Sequence, residues 1–283
     1  MPLIRFMMWA SLALGRPVSR VLLRLVAAYF LATGRGARRC ACEFLERSLG
    51  RVPTLGEQYR LFFSFASTVH DRIYFLKDRF DLFDIGVNGA EHFDAGGALL
   101  MGAHLGSFEV LRACGRHIGR RDVAMAMYED NARKLNAVLA AIEPGARRDI
   151  VALGRADSMI ELAARLDAGA LVGVLADRTL GREPVLRLPF LGREAPFPTG
   201  PMRIAAALRR RVIFMAGVYR GGNRYEIHFE PLADFGDLEG QTRARRDERL
   251  REAVALYAAR LEHYARDAPY NWFNFHDFWG SGT

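Results

Sequence analysis

Apolar positions keep one spacing up to about residue 80 and another beyond it. In the first part they recur every three to four residues, the period of a helix with one apolar face. Met1 to Thr33 is apolar but interrupted by Arg5, by Gly15-Arg16-Pro17, and by Arg20 and Arg24. Residues 36–50 read as a second helix, with Cys42, Phe44, Leu45 and Leu49 as its apolar positions. Val52-Pro53 breaks the pattern, and Thr54 with Glu57 forms a capping box. A third helix is expected from Leu55 to Asp78, dense in Tyr59, Phe62, Phe63, Phe65, Tyr74 and Phe75. From residue 85 short apolar runs alternate with helical segments, the pattern of βαβ units. Strands are expected at 98–101, 122–127, 149–153, 170–176, 211–218 and 225–230. Helices are expected at 108–118, 130–142, 156–168, 199–210 and 242–266. The stretch 177–198, with four arginines and four prolines, reads as one long irregular connection, a kind of loop that often carries function. The expected fold is α/β: a mixed, mostly parallel sheet flanked by helices. Residues 1–34 are expected as N-terminal membrane-associated helices, the alternative being a buried pair of packing helices, and 35–283 as the main domain.

Composition narrows this picture. A chain of 283 residues that is 51% apolar can bury one large α/β core with helical additions. The net charge of +8 favours phosphates, anionic headgroups, acidic carrier proteins or nucleic acid. Nucleic acid is disfavoured, because there is no zinc-finger spacing, no RNP-like aromatic motif and no basic helix with heptads. Three cysteines, Cys40, Cys42 and Cys114, are too few for a disulfide framework and point to a reducing compartment. In the N-terminal segment no run reaches the roughly 18 uncharged residues of a spanning helix. Nor does a compact apolar core end in small residues, as in a cleaved signal. Arginines interleaved with Phe6, Trp9, Leu22, Tyr29 and Phe30 fit helices lying at a membrane interface.

The chemistry concentrates in Ala98-Leu-Leu-Met-Gly-Ala-His-Leu-Gly-Ser-Phe-Glu109. On one continuous helix His104 and Glu109 would stand about 140° apart. Gly102 and Gly106 permit a tight strand-to-helix turn instead, with Ser107 as N-cap and Glu109 in the first helical turn. A carboxylate beside an imidazole makes a general base, with Glu109 as the orienting partner of His104. With a thioester donor no protein nucleophile is needed, since an acceptor hydroxyl attacks directly. The oxyanion would then be met by backbone N–H groups of Gly106–Phe108 or by an arginine. Downstream, the apolar run from Leu171 delivers Asp177 and Arg178 to a strand end. There Arg178 is expected to contact phosphate or oxyanion, paired to Asp177. Arg182, Arg187, Arg193, Arg203 and Arg209 to Arg211 make this region basic, suited to a phosphorylated lipid or an acidic carrier. His70, His92, His117, His228, His263 and His276 lack such a setting and read as structural. There is no His-Glu-x-x-His, Gly-x-Ser-x-Gly or P-loop motif.

His104-Leu-Gly-Ser-Phe-Glu109 resembles the His-x4-Asp/Glu signature of acyltransferases, in the branch of the lauroyl/myristoyl enzymes of lipid A synthesis. Further landmarks in order are Tyr128 with Asn131, Arg155, Asp177, Pro189-Phe-Leu-Gly192, Thr199-Gly200 and Trp272. The resemblance implies a catalytic His104/Glu109 pair and substrate contacts at Asn131, Arg155, Asp177, Arg178 and Thr199. It implies no metal and no cofactor beyond acyl carrier protein or CoA thioester as co-substrate. The implied partners are acyl carrier protein and a lipid acceptor, at the cytoplasmic face of the inner membrane. Arg178 and the broken N-terminus depart from that branch, and the ending Asn271–Trp279 is similar to a subgroup linked to aryl-polyene lipid synthesis. The acceptor is therefore left open. The alternatives are a glycerophosphate-type acyltransferase and a non-catalytic acyl-binding protein of the membrane surface.

Overall fold

The computed structural model describes residues 2–93, 96–110, 122–128, 150–154, 157–179 and 183–280, with backbone alone at 2–10, 12 and 128. Helix α1 spans Pro2–Thr33 with one non-helical residue, Gly15 (φ 76°, ψ 164°), followed by Pro17, which has no amide proton to donate. Helix α2 spans Arg35–Leu49 and α3 spans Leu55–Leu76. The expected capping box opens α3: Thr54 Oγ1 accepts from the Glu57 N–H (3.2 Å), and the Glu57 carboxylate accepts from the Thr54 N–H (2.8 Å).

Behind the helices lies a seven-stranded sheet. Its strands are β1 (Asp84–Asn88), β2 (Ala98–Gly102), β3 (Val123–Tyr128), β4 (Ile150–Leu153), β5 (Leu171–Leu175), β8 (Arg211–Gly221) and β9 (Arg224–Asp234). The order is β1-β9-β8-β2-β5-β3-β4, and every neighbouring pair is parallel except β8 with β9. All five residues of β2 are buried, as a central strand covered on both faces requires. Between β5 and β8 a two-stranded antiparallel ribbon, β6 (Val185–Phe190) with β7 (Arg193–Pro198), stands apart from the sheet. Helices α4 (Ser158–Asp167), α5 (Gly200–Ala207) and α6 (Arg243–Asp267), with short 3-10 turns at Phe80–Leu82 and Ala90–Phe93, complete the described elements.

All six expected strands are present. Strand β1 and the ribbon were not expected. Strand β1 alternates between exposed and half-buried residues, so it carries no apolar signal, and only pairing with β9 makes it a strand. The ribbon β6–β7 replaces the expected irregular connection over most of 177–198. Pro189, Pro196 and Pro198 argue against a strand in a sheet interior, but a two-stranded ribbon is all edge and tolerates them. Its turn places Leu191 (φ 49°) and Gly192 (φ 80°) both in the left-handed region, which the twist of a two-residue hairpin favours. The expected helix at 130–142 lies outside the described residues, and that at 108–118 is described only at 108–110.

The aromatic C-terminal segment docks on the core. Trp272 is fully buried and meets Phe44 edge-to-face with ring centroids 4.9 Å apart, Phe190 at 5.3 Å and Phe278 at 4.9 Å. It thereby joins α2, the ribbon and the tail. Among the described residues no single helix is long and apolar enough to cross a membrane. Two of the arginines that interrupt α1, Arg16 and Arg20, turn inward. Arg16 makes a two-pronged pair with buried Asp71 of α3 (2.7 Å for each bond), which also accepts from the Tyr225 hydroxyl at 2.8 Å. Arg20 donates to the Tyr219 hydroxyl at 2.7 Å. The opposite side of α1 exposes Leu14, Val18, Val21, Leu22, Leu25 and Tyr29.

Candidate active site

The parallel register of β2 and β5 pairs Gly102 with Leu175. Two residues beyond each stand His104 and Asp177, side by side at the carboxyl edge of the sheet, where open α/β sheets take their ligands. His104 Nδ1 lies 2.8 Å from Asp177 Oδ1, and the backbone N–H of His104 donates to Oδ2 at 3.1 Å. The indole N–H of Trp272 donates to the same Oδ2 at 3.0 Å. Asp177 is 1% exposed, and burial alone would raise its pKa. The His104 charge, the hydrogen bonds from His104 and Trp272, and the charge of Arg178 override this and hold it well below the usual carboxylate range. An ionised carboxylate only accepts, so in the neutral ring Nδ1 carries the proton and Nε2 the free lone pair.

The loop between β2 and the helical turn at 108–110 is stapled from three sides. The Gly106 N–H donates to the Asn271 carbonyl, the Ser107 N–H to the Gly217 carbonyl, and the Phe273 N–H to the His104 carbonyl, each at 2.8 Å. Asn271 is itself locked to the Tyr219 backbone by both halves of its amide. At Gly106 φ is +67°, and a Cβ would sit 1.8 Å from the Gly217 carbonyl oxygen. Gly106→Ala is therefore expected to destabilise the fold by about 3 kcal/mol or more, visible as a fall in thermal midpoint of several degrees.

This arrangement corrects three expectations. Glu109 is not the partner of the imidazole: its buried carboxylate turns to α3, where Arg72 Nε lies 2.7 Å from Oε1. It stands in the helical turn after the loop, while Nδ1 points across the sheet edge to Asp177. The Gly106 and Ser107 N–H groups are not available to an oxyanion, because neighbouring carbonyls take both. Asp177 is not hydrogen-bonded to Arg178 either. Arg178 donates through Nη2 to the Phe273 carbonyl at 3.2 Å and acts on Asp177 through its charge. Thr199 gives its hydroxyl to the Pro184 carbonyl at 3.1 Å at the start of α5, whereas its neighbours Pro198 and Pro201 line the cavity described below. Asn131 and Arg155 lie outside the described residues. Much of the arginine run is spent on pairing: Arg209 with Glu239, Arg210 with Asp167, and Arg211 on the His92 carbonyl.

Two cavities meet at His104. One, of about 390 Å³, lies between α3 and the C-terminal segment and is lined by Phe65, Val69, Ser107, Phe273, Phe275 and His276. The other, of about 500 Å³, is apolar where it runs between β3 and α5 past Met125, Met127, Leu153, Pro201 and Ile204, and also meets Thr179 and Glu183. Arg72, His104, Phe108, Glu109, Leu175 and Arg178 border both. Burial, and then the charge of Arg178, lower the pKa of His276, which keeps that imidazole neutral at pH 7. Among the described residues no group of three His, Cys, Asp or Glu is arranged to hold a metal ion.

The family model for bacterial lipid A biosynthesis acyltransferases matches residues 3–281. The chain belongs to this family. It is an acyltransferase of lipid biosynthesis. No match was found among curated proteins. Among solved structures, the 1-acyl-sn-glycerophosphate (LPA) acyltransferase PlsC from Thermotoga maritima aligns over 87% of this chain and 98% of its own. Identity is 18% and the TM-score 0.39, a superposition too loose to transfer any residue.

In the acyltransferase the residues that frame the site come from four places in sequence: α3 (Arg72), the loop after β2 (His104), the end of β5 (Asp177, Arg178) and the C-terminal segment (Trp272, His276). Sequence reasoning linked Asp177 to Arg178, its neighbour in the chain, and missed its bond to His104. The signal that would have found it is strand pairing. Two apolar runs, 98–102 and 171–175, each followed two residues later by a polar group, place those groups together only once β2 and β5 are known to be adjacent. Arg72 carried no signal within an aromatic helix, and His276 none within an aromatic tail.

Proposed function

We propose that the acyltransferase moves an acyl chain from a thioester, carried by acyl carrier protein or CoA, to a hydroxyl of a lipid acceptor, with His104 as general base. The observation that carries this reading is the buried Asp177, which holds Nδ1–H so that Nε2 faces the junction of two cavities. The acceptor hydroxyl gives its proton to Nε2 while its oxygen attacks the thioester carbonyl carbon. Arg178, one of two arginines at that junction, meets the oxyanion of the tetrahedral intermediate. The C–S bond then breaks, and the thiolate takes the proton back from the imidazolium. The apolar cavity past Met125, Met127 and Leu153 suits the acyl chain; the cavity beside α3 suits the acceptor.

The acceptor side opens past Phe65 and Val69, which are 40% and 43% exposed. Together with the exposed apolar side of α1 and the net charge of +8, this supports a site presented to an anionic membrane surface. The unpaired thiols of Cys40 and Cys42 fit its cytoplasmic face. Leu25, 69% exposed on that side of α1, supplies a test. Leu25→Glu is expected to weaken co-sedimentation with anionic vesicles by about fivefold or more with little change in thermal midpoint; undiminished binding would remove α1 from the membrane contact.

The acyl transfer itself is tested by incubating the purified chain with defined acyl-carrier-protein and acyl-CoA thioesters and a bacterial lipid extract. The expected product by mass spectrometry is a lipid gaining one ester-linked acyl chain. Free fatty acid as the sole product would point to a thioesterase and overturn the reading.

A further inference from the structure

Strand β8 outruns its neighbour β2, and the surplus is where the base is held. The two pair only over Leu99–Met101 with Val212–Phe214, after which β2 ends and β8 continues to Gly221. On that side the backbone groups of 217–219 need new partners. The loop carrying His104 supplies one, its Ser107 N–H donating to the Gly217 carbonyl at 2.8 Å. Asn271 supplies two: its carboxamide accepts from the Tyr219 N–H at 2.7 Å and donates to the Tyr219 carbonyl at 3.0 Å. The Asn271 carbonyl in turn accepts from the Gly106 N–H at 2.8 Å. The loop that carries His104 is thus built against the far end of β8.

The same end of β8 is gripped from the other direction by α1. The Tyr219 hydroxyl accepts from Arg20 Nη2 at 2.7 Å and donates to the Gly222 carbonyl at 3.3 Å. That carbonyl also accepts from Arg16 Nη2 at 2.6 Å. Helix α1 packs against α3, yet these donors reach past it to the turn between β8 and β9. The bonds are continuous from α1 to the loop: Arg20 to the Tyr219 hydroxyl, the Tyr219 backbone to the Asn271 carboxamide, and the Asn271 carbonyl to the Gly106 N–H.

We propose that Arg20 is a positioning residue for acyl transfer: through Tyr219 and Asn271 it sets the loop that holds His104, and so couples the seat of α1 to the base. This rests on the reading of His104 as the base. Arg20, Tyr219 and Asn271 do not line either cavity at His104, so their effect on turnover travels through the loop. A displacement of about 1 Å at the reacting groups costs on the order of a hundredfold in rate, and a partly loosened loop costs a share of that.

The experiment uses the full chain on saturating anionic vesicles of phosphatidylethanolamine and phosphatidylglycerol, so that membrane binding is equal throughout. Tyr219→Phe removes one hydroxyl and no bulk; Arg20→Met removes the donors and keeps the stem. Arg16 is left intact, because its loss would strand the buried Asp71 charge. Two quantities are read: hydrogen exchange of the 104–107 amides, and kcat and KM for an acyl thioester with the bacterial lipid extract as acceptor. Each variant is expected to speed loop exchange and lower kcat by about tenfold, with KM changed by less than about twofold. The double variant should also lose only about tenfold, not the hundredfold of independent effects, because both changes cut one chain of bonds. Arg20→Lys, which keeps a donor for the hydroxyl, should recover most of kcat, and Tyr219→Phe decides alone if Arg20→Met folds poorly. Unchanged loop exchange, unchanged kcat, a loss confined to KM, or losses that multiply in the double variant would each overturn the proposal. Failure of the base is separately visible: His104→Ala would then keep its turnover, while loop exchange, which needs no chemistry, would still report the coupling.

Discussion

His104→Ala is expected to lower kcat for acyl transfer by about 10²- to 10⁴-fold, the usual contribution of a positioned general base. The fold should survive. The imidazole is about one-third exposed, and without it Asp177 still accepts from the His104 backbone N–H and the Trp272 indole. The loop is also held by bonds that do not involve the side chain, at Gly106, Ser107 and the His104 carbonyl. The thermal midpoint should therefore shift by only a few degrees, and vesicle binding should be unchanged. Turnover near the wild-type level, measured with thioester donor in single-turnover and steady-state assays, would remove His104 from the chemistry.

Asp177→Asn is expected to cost nearly as much, about 10³- to 10⁴-fold in kcat, by analogy with the same change in serine hydrolase triads. The physical argument is tautomeric. An amide presenting its N–H₂ to Nδ1 forces that nitrogen to accept, moves the ring proton to Nε2, and removes the lone pair from the cavity. A variant that instead lost only a few-fold in kcat would show that orientation by Asp177 is dispensable. The replacement has a second readout. The folded pKa of Asp177 is depressed, so its carboxylate contributes stability above the ordinary carboxylate pKa of about 4. That contribution is lost as pH falls below about 4 toward the folded value. The stability difference between wild type and Asp177→Asn should accordingly be largest near neutrality and shrink on acidification, as followed by denaturant unfolding across pH.

Both predictions turn on a contact that could not be read along the chain. His104 and Glu109 are five residues apart on a glycine-flanked turn, so sequence reasoning pairs them; in the folded chain each has a different partner. The chain enters its helical turn at Phe108 with Glu109 directed at α3, and Arg72 is waiting there. His104 instead meets a carboxylate 73 positions away, because parallel pairing brings two strand ends together. Of the oxyanion donors expected at Gly106–Phe108 or on an arginine, the Gly106 and Ser107 N–H groups are taken up for a related reason. Backbone N–H groups on a buried turn must find acceptors, and Asn271 and Gly217 supply them.

What followed from sequence alone was whatever depends on local periodicity and local chemistry. That includes the buried strands 98–102 and 171–175, legible because a strand covered on both faces is continuously apolar. It includes the capping box at Thr54, the helical N-terminal part of the chain, and the place of His104 on the loop after a buried strand. The tertiary structure alone decided which strand lies beside which, and hence that Asp177 holds the imidazole. It also decided that Arg16 and Arg20 of α1 turn inward to Asp71 and Tyr219, that a proline-rich connection closes as a ribbon, and that Arg72 borders the same cavities as His104. The ribbon apart, which is a local hairpin, each of these is a contact between residues far apart in sequence. Its free energy appears only when two elements meet, and no pattern within either element encodes the meeting.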